Sequence, residues 1–215
     1  MGMTTRSYGI IDRIIGEIDK AIKVLASPAR PTRASPDSTG GEFDLKDAER
    51  QESIRLMRVN HSGEIAAQAL YQGQALAARN DTVAAAMRRA ASEEMDHLAW
   101  CEERLRELHG RTSLLNPLWY AGSFAIGALA GAVGDRSSLG FVAETERQVE
   151  AHLRGSKDSL PAADQRSRAI VDAMTQDEVS HGAQAASLGA DELPFLLRSA
   201  MRLTSRVMTK SSYWL

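Results

Sequence analysis

The sequence has a single cysteine, Cys101, in 215 residues. One thiol excludes an intramolecular disulfide framework and any zinc site built on several thiolates, and it fits a reducing compartment. Cys101 itself reads as a small buried core residue. Aromatic residues are also scarce, at 5%, and no alternating run of β-branched residues is long enough to support a sheet. Nor is there an excess of one charge: 26 Lys and Arg stand against 28 Asp and Glu, a formal net charge of −2. That balance excludes a bulk nucleic-acid binder and an acidic tail. Neither a secretory signal nor a mitochondrial presequence is expected, because Asp12, Arg13, Glu17 and Asp19 interrupt the first apolar stretch.

Apolar residues make up 43% of the chain and charged residues 25%, the mixture of a globular protein with a sizeable core. Ile10, Ile14, Ile18 and Ile22 recur every four residues, which predicts an amphipathic helix up to residue 26. Three of the six prolines and a Gly-Gly pair then fall within residues 27–41, so 27–44 reads as a flexible linker ahead of a main body, 45–215. In that body the pattern predicts helices over 45–79, 83–108, 138–154, ended by Gly155, and 162–188, with a last helix after Pro194. The fold class is therefore all-α, with a four-helix bundle at its centre.

Two of the five histidines follow a glutamate by three residues, in Glu94-Met-Asp-His97 and Glu178-Val-Ser-His181. Positions i and i+3 share a helix face, so each pair can present a carboxylate and an imidazole to one point. Random placement would give roughly a third of one such match. Di-iron bundles take a Glu from each of two helices and a Glu-x-x-His from each of the other two. Between Ser53 and Asn80 the only acid is Glu64, with Met57, Ala67 and Tyr71 on its face. The second half offers Glu144, Glu146 and Glu150, among which spacing does not choose. The neighbours of Glu146 include Val142, Ala143 and Val149, whereas Glu150 lies beside Arg147 and Arg154. Glu146 is the better choice. The candidate set is Glu64, Glu94, His97, Glu146, Glu178 and His181, two copies of one unit, with ligand types that suit iron or manganese. No Gly-rich phosphate loop or nucleophile turn is present.

The runs Arg58-Val-Asn-His-Ser-Gly-Glu64, Tyr71-Gln-Gly-Gln74, Glu93-Glu94-Met-Asp-His97 and Glu178-Val-Ser-His181 together resemble the demethoxyubiquinone hydroxylases, ferritin-like di-iron monooxygenases of ubiquinone biosynthesis. The resemblance covers roughly residues 45–215, on several motifs in one order. It implies a ferritin-like bundle and two iron ions on the six residues above, with Glu146 supported as the sixth. It also implies O2-dependent hydroxylation of a demethoxyubiquinol ring, with NADH as a source of electrons. Other proteins of ubiquinone biosynthesis and a second copy of the chain are further partners. His152 matches a histidine that family members carry near the site; it stands as supporting the ligands, facing the substrate, or merely structural. Some members follow it with a tyrosine, where this chain has Leu153.

A polyprenyl substrate calls for a membrane. Residues 112–134 carry no charge from Thr112 to Gly134, and Gly127 and Gly131 form a small-xxx-small pair. Three readings stand for this segment: a buried core helix, shallow membrane contact or a channel wall, and a true span, which is near the lower length limit. In the last helix, 195–210, Arg198, Arg202, Arg206 and Lys210 recur every four residues beside Leu196, Leu203 and Val207, with Tyr213 and Trp214 following. It reads as a membrane-surface helix, or as one docked on the bundle or another subunit. The expected location is peripheral, on the cytoplasmic side of the cell membrane. Two rival functions remain: a ferritin-like iron-storage or peroxide-detoxifying protein, and a non-catalytic membrane-associated scaffold whose Glu/His pairs decorate its surface.

Overall fold

The structure, a computed structural model, describes residues 10–36 and 44–215. Residues 1–9 and 37–43, with the start of the first predicted helix and the Gly-Gly end of the predicted linker, lie outside the described residues, as do the side chains of Ile10, Ile11 and Ile14. The described residues form seven helices and no strand: α1 (Ile10–Ala26), α2 (Asp47–Ala77), α3 (Asp81–Glu107), α4 (Asn116–Val133), α5 (Asp135–Ser159), α6 (Gln165–Ser187) and α7 (Phe195–Trp214).

Local signals set most boundaries. Asn80 caps α3 by accepting from the Thr82 amide at 2.7 Å. Asp164 caps α6 by accepting from the Ser167 amide at 3.0 Å, and its carboxylate also receives the buried Arg104 guanidinium at 2.8 Å. At the α3 stop it is His109, not the glycine after it, that takes the left-handed position, φ 58°, and the Gly110 amide closes back on the Leu105 carbonyl at 2.7 Å. Gly155 does not end α5 either. An isolated glycine costs a helix only about 1 kcal/mol, and α5 continues to Ser159, where Pro161 stops it.

α2 with α3 and α5 with α6 form two hairpins, joined side by side into a four-helix bundle. One apolar cluster closes one end, with Met57, Trp100, Leu105, Leu153, Ile170 and Met174. Another closes the opposite end, with Tyr71, Met87, Leu139, Val142 and Ala185. On each helix the stretch between these two clusters carries one of the four acids Glu64, Glu94, Glu146 and Glu178, so a polar layer is sealed between apolar plugs.

α4 lies along the outside of α2, where glycine lets the two backbones meet. A Cβ on Gly127 would strike the Leu70 carbonyl, and one on Gly73 would strike the Phe124 carbonyl. Tyr120, Gly127 and Gly131 face inward, whereas Leu118, Leu129 and Val133 are exposed. Among the described residues no helix is long and apolar enough to cross a membrane. This corrects the spanning reading of 112–134. The C-terminal end of α7 is fastened to the bundle. Tyr213 donates its hydroxyl to Glu52 at 2.6 Å, Arg55 stacks on Trp214, and Arg58 donates to the Tyr213 carbonyl at 3.2 Å.

Residues 27–36 run along α3 and make polar contacts with it. The Ala29 amide donates to Glu102 at 3.0 Å, the Thr32 hydroxyl bonds Asp96 at 3.0 Å, and Arg33 pairs with Asp96 at 2.8 Å.

Candidate metal centre

The six residues singled out from sequence meet inside the bundle. Glu64 comes from α2, Glu94 and His97 from α3, Glu146 from α5, and Glu178 and His181 from α6. They fall into two groups of four, Glu64-Glu94-His97-Glu178 and Glu94-Glu146-Glu178-His181, each with one candidate ligand atom per residue within 4.8 Å of the others. Glu94 and Glu178 belong to both groups. The side chains are buried: Glu94 and His97 at 0% exposure, Glu64, Glu146 and Glu178 at 2%. The reading of the Glu/His pairs as surface decoration is therefore corrected. The acids not chosen lie elsewhere: Glu150 pairs with Arg154 at 2.6 Å, and Glu144 with Arg147 at 2.6 Å.

Both histidines use Nδ1 toward the carboxylates. His97 Nδ1 lies 2.8 Å from Glu94, 3.4 Å from Glu178 and 3.7 Å from Glu64. His181 Nδ1 lies 3.3 Å from Glu94 and 3.7 Å from Glu178. Without metal, protons are the only positive charges for four buried carboxylates, and the titration of the groups follows. Burial pushes the Glu64 carboxyl up, and the Glu94 charge adds to it. Burial and then Glu178 push Glu146 up as well. Burial also opposes charge on Glu94, but His97 and His181 outweigh it and hold Glu94 below the usual carboxylate range. Glu178 likewise ends below that range, its burial offset by the neighbouring Glu146, His181 and His97. His181 is disfavoured as a cation by burial, yet Glu178 and Glu94 raise it to about 11.

The arrangement fits metal cations. Glu146 Oε1 is buried with no hydrogen-bond partner, and Glu94 Oε1 and His181 Nδ1, though 3.3 Å apart, make no well-aligned hydrogen bond. A buried polar group left unsatisfied costs about 1–3 kcal/mol, and three such atoms gathered in one layer are what a bound cation would satisfy. Hard carboxylates with two imidazoles match iron or manganese and leave coordination positions open.

The outer sides of the rings carry residues that sequence reasoning missed. His97 Nε2 is held by Asp177 at 2.9 Å, and His181 Nε2 by Glu93 at 2.7 Å. The pairing is crossed: the acid just before the glutamate of one Glu-x-x-His holds the histidine of the other. The signal was the acidic doublets Glu93-Glu94 and Asp177-Glu178. His152 is not brought into either group. It is half-buried, with Nε2 enclosed and unpartnered, and burial lowers its basicity. The Arg58–Glu64 run fastens α2 to its neighbours, through Asn60 to Ser156 at 3.3 Å and Ser62 to Asn116 at 2.9 Å.

The sequence matches the family described as ubiquinone biosynthesis protein COQ7 over residues 51–212. The chain belongs to this family. A protein named 3-demethoxyubiquinol 3-hydroxylase from Cupriavidus pinatubonensis is 57% identical over 205 residues, spanning 94% of this chain and 99% of its own. Its namesake from Chromobacterium violaceum is 54% identical over 204 residues, spanning 95% and 99%. That from Bordetella pertussis is 54% identical over 211 residues, spanning 98% and 95%. The COQ7 match includes all six clustered residues and leaves α1 and residues 27–36 outside it.

Proposed function

We propose that this chain is a di-iron monooxygenase that hydroxylates the ring of a demethoxyubiquinol, with O2 as co-substrate and NADH as a source of electrons. The observation that carries the reading is the pair of four-residue groups sharing Glu94 and Glu178, in a chain whose relatives bear the hydroxylase name over nearly its whole length. Glu94 and Glu178, common to both groups, would help to hold each ion. Glu64 and His97 complete one site, and Glu146 and His181 the other. When bound, the two irons supply the reductive activation of dioxygen that ring hydroxylation needs.

The remaining work falls to the protein. Asp177 and Glu93 fix the two imidazoles so that Nδ1 points inward. The apolar clusters at either end keep bulk water from the polar layer. His152, whose neutral form burial favours, stands as a candidate on the substrate side of the centre.

The membrane partner and the peripheral, cytoplasmic-side location belong to the same proposal. Leu118, Leu129 and Val133 of α4 and Leu196, Leu203 and Val207 of α7 are exposed, and α7 adds Arg198, Arg202, Arg206 and Lys210. Apolar side chains with a cationic helix suit an anionic bilayer surface from which a prenylated quinol is drawn. Iron-loaded protein should convert a demethoxyubiquinol analogue in air with NADH to a product heavier by one oxygen. Stripped protein should not, and full activity without iron would refute the reading.

A further inference from the structure

Two histidines of the centre are held from outside in the same way, but only one of the holding acids is itself clamped. Glu93, behind His181, has a half-exposed side chain and, among the described residues, pairs with His181 alone. Asp177, behind His97, takes a second partner. Arg33 Nη2 reaches its Oδ2 at 2.7 Å, the same oxygen that faces His97 Nε2 at 2.9 Å. Arg33 stands in the segment ahead of the bundle, outside the matched family region, and 144 residues from Asp177 in sequence.

The rest of Arg33 is fixed with equal care. Its Nε pairs with Asp96 at 2.8 Å, and Asp96, 2% exposed, also receives the Thr32 hydroxyl at 3.0 Å. The Arg33 guanidinium lies 4.9 Å over the Trp100 ring, whose indole N–H points at the Arg33 carbonyl at 3.4 Å. Trp100 in turn flanks the His97 ring at 5.4 Å between centroids. One side chain therefore grips the carboxylate behind His97, the acid preceding His97, and the aromatic ring beside it. A planar guanidinium can do this because its donors diverge in a fixed fork, which an ammonium lacks.

We propose that Arg33 is a positioning residue for one half of the metal centre, clamping Asp177 and thereby fixing the ring of His97. It rests on reading the six clustered residues as metal ligands. A partner that orients a ligating histidine affects metal affinity by about 10–100-fold. Arg33 acts one step further out and on the His97 group alone, so its loss should weaken one of two ions and spare the other.

The test is a Co(II) titration of the full chain, stripped of metal, followed by the visible bands of bound cobalt. Wild-type protein should take up two ions. Arg33→Gln should weaken one of them by about tenfold or more, with altered cobalt bands for that ion and an unchanged second phase. Arg33→Lys, which keeps the charge without the fork, should recover part of the loss. Thr32→Val, which removes a contact to Asp96 without touching Asp177, should leave both phases near wild type. The inference is overturned if Arg33→Gln binds both ions as wild type does. It is equally overturned if Arg33→Gln weakens both phases alike, or if Thr32→Val reproduces its loss, because the segment would then only stabilise the fold. Failure of the wild-type chain to take up any ion would instead remove the metal-centre reading itself.

Discussion

Asp177 and His97 meet at 2.9 Å on the side of the imidazole that faces away from the carboxylate layer. The contact leaves Nδ1 as the only ring nitrogen available to a cation, and it has a counterpart in Glu93 and His181. Asp177→Asn should therefore weaken one ion, and Glu93→Gln the other, each by about 10–100-fold. Helical content should not change. Metal titration with circular dichroism on each variant checks this.

Glu94 and Glu178 are members of both four-residue groups, whereas Glu64 and Glu146 each belong to one. Substitution of a shared acid should therefore be felt twice. Glu94→Ala or Glu178→Ala should yield a folded chain retaining little or no metal. Glu64→Ala and Glu146→Ala should each retain close to one ion. Iron analysis of the purified variants distinguishes the two classes.

The enclosed carboxylates make the metal-free protein sensitive to alkali. His97 and His181 titrate above the ordinary imidazole value in the fold, His181 at about 11, and Glu64 and Glu146 above the ordinary carboxylate value. A group raised in the folded state stabilises it below its unfolded value and loses that contribution as pH rises through the folded one. For His181 the window runs from 6.5 to about 11. Metal-free protein should lose stability across it, at a limiting slope of about 1.4 kcal/mol per pH unit for each such proton. Glu94 and Glu178, lowered in the fold, act oppositely in acid. Metal displaces these protons, so denaturant melts of loaded protein between pH 6.5 and 9 should show a much flatter profile.

Gly127 sets how closely α4 approaches α2. A methyl there meets backbone on the facing helix, which cannot move aside. Gly127→Ala should cost about 1–3 kcal/mol, seen as a Tm lower by several degrees. Gly122 lies on the same helix with nothing near its missing Cβ, and Gly122→Ala should be neutral or slightly stabilising. Iron content should be unchanged in both.

Much of this was legible in the sequence. Helical periodicity marks the bundle, and the two Glu-x-x-His pairs locate its polar layer. Glu146 could be told from Glu150 because apolar neighbours lie around one and arginines around the other. What was hidden has physical causes. Asp177 and Glu93 are adjacent to cluster acids, so the helical turn of about 100° per residue puts them on a different face, where an acid reads as solvated. The docking of residues 27–36 uses backbone amides of Ala29 and Thr32, which every sequence possesses.

The central claim is that the oxygen joined to the quinol ring comes from dioxygen at the centre built on Glu64, Glu94, His97, Glu146, Glu178 and His181. Turnover of a demethoxyubiquinol analogue by iron-loaded protein under 18O2, read by product mass, tests it most directly. The account predicts one 18O atom in each hydroxylated product, and no product from Glu178→Ala. Product that carries only solvent oxygen, or equal turnover by Glu178→Ala, would contradict it.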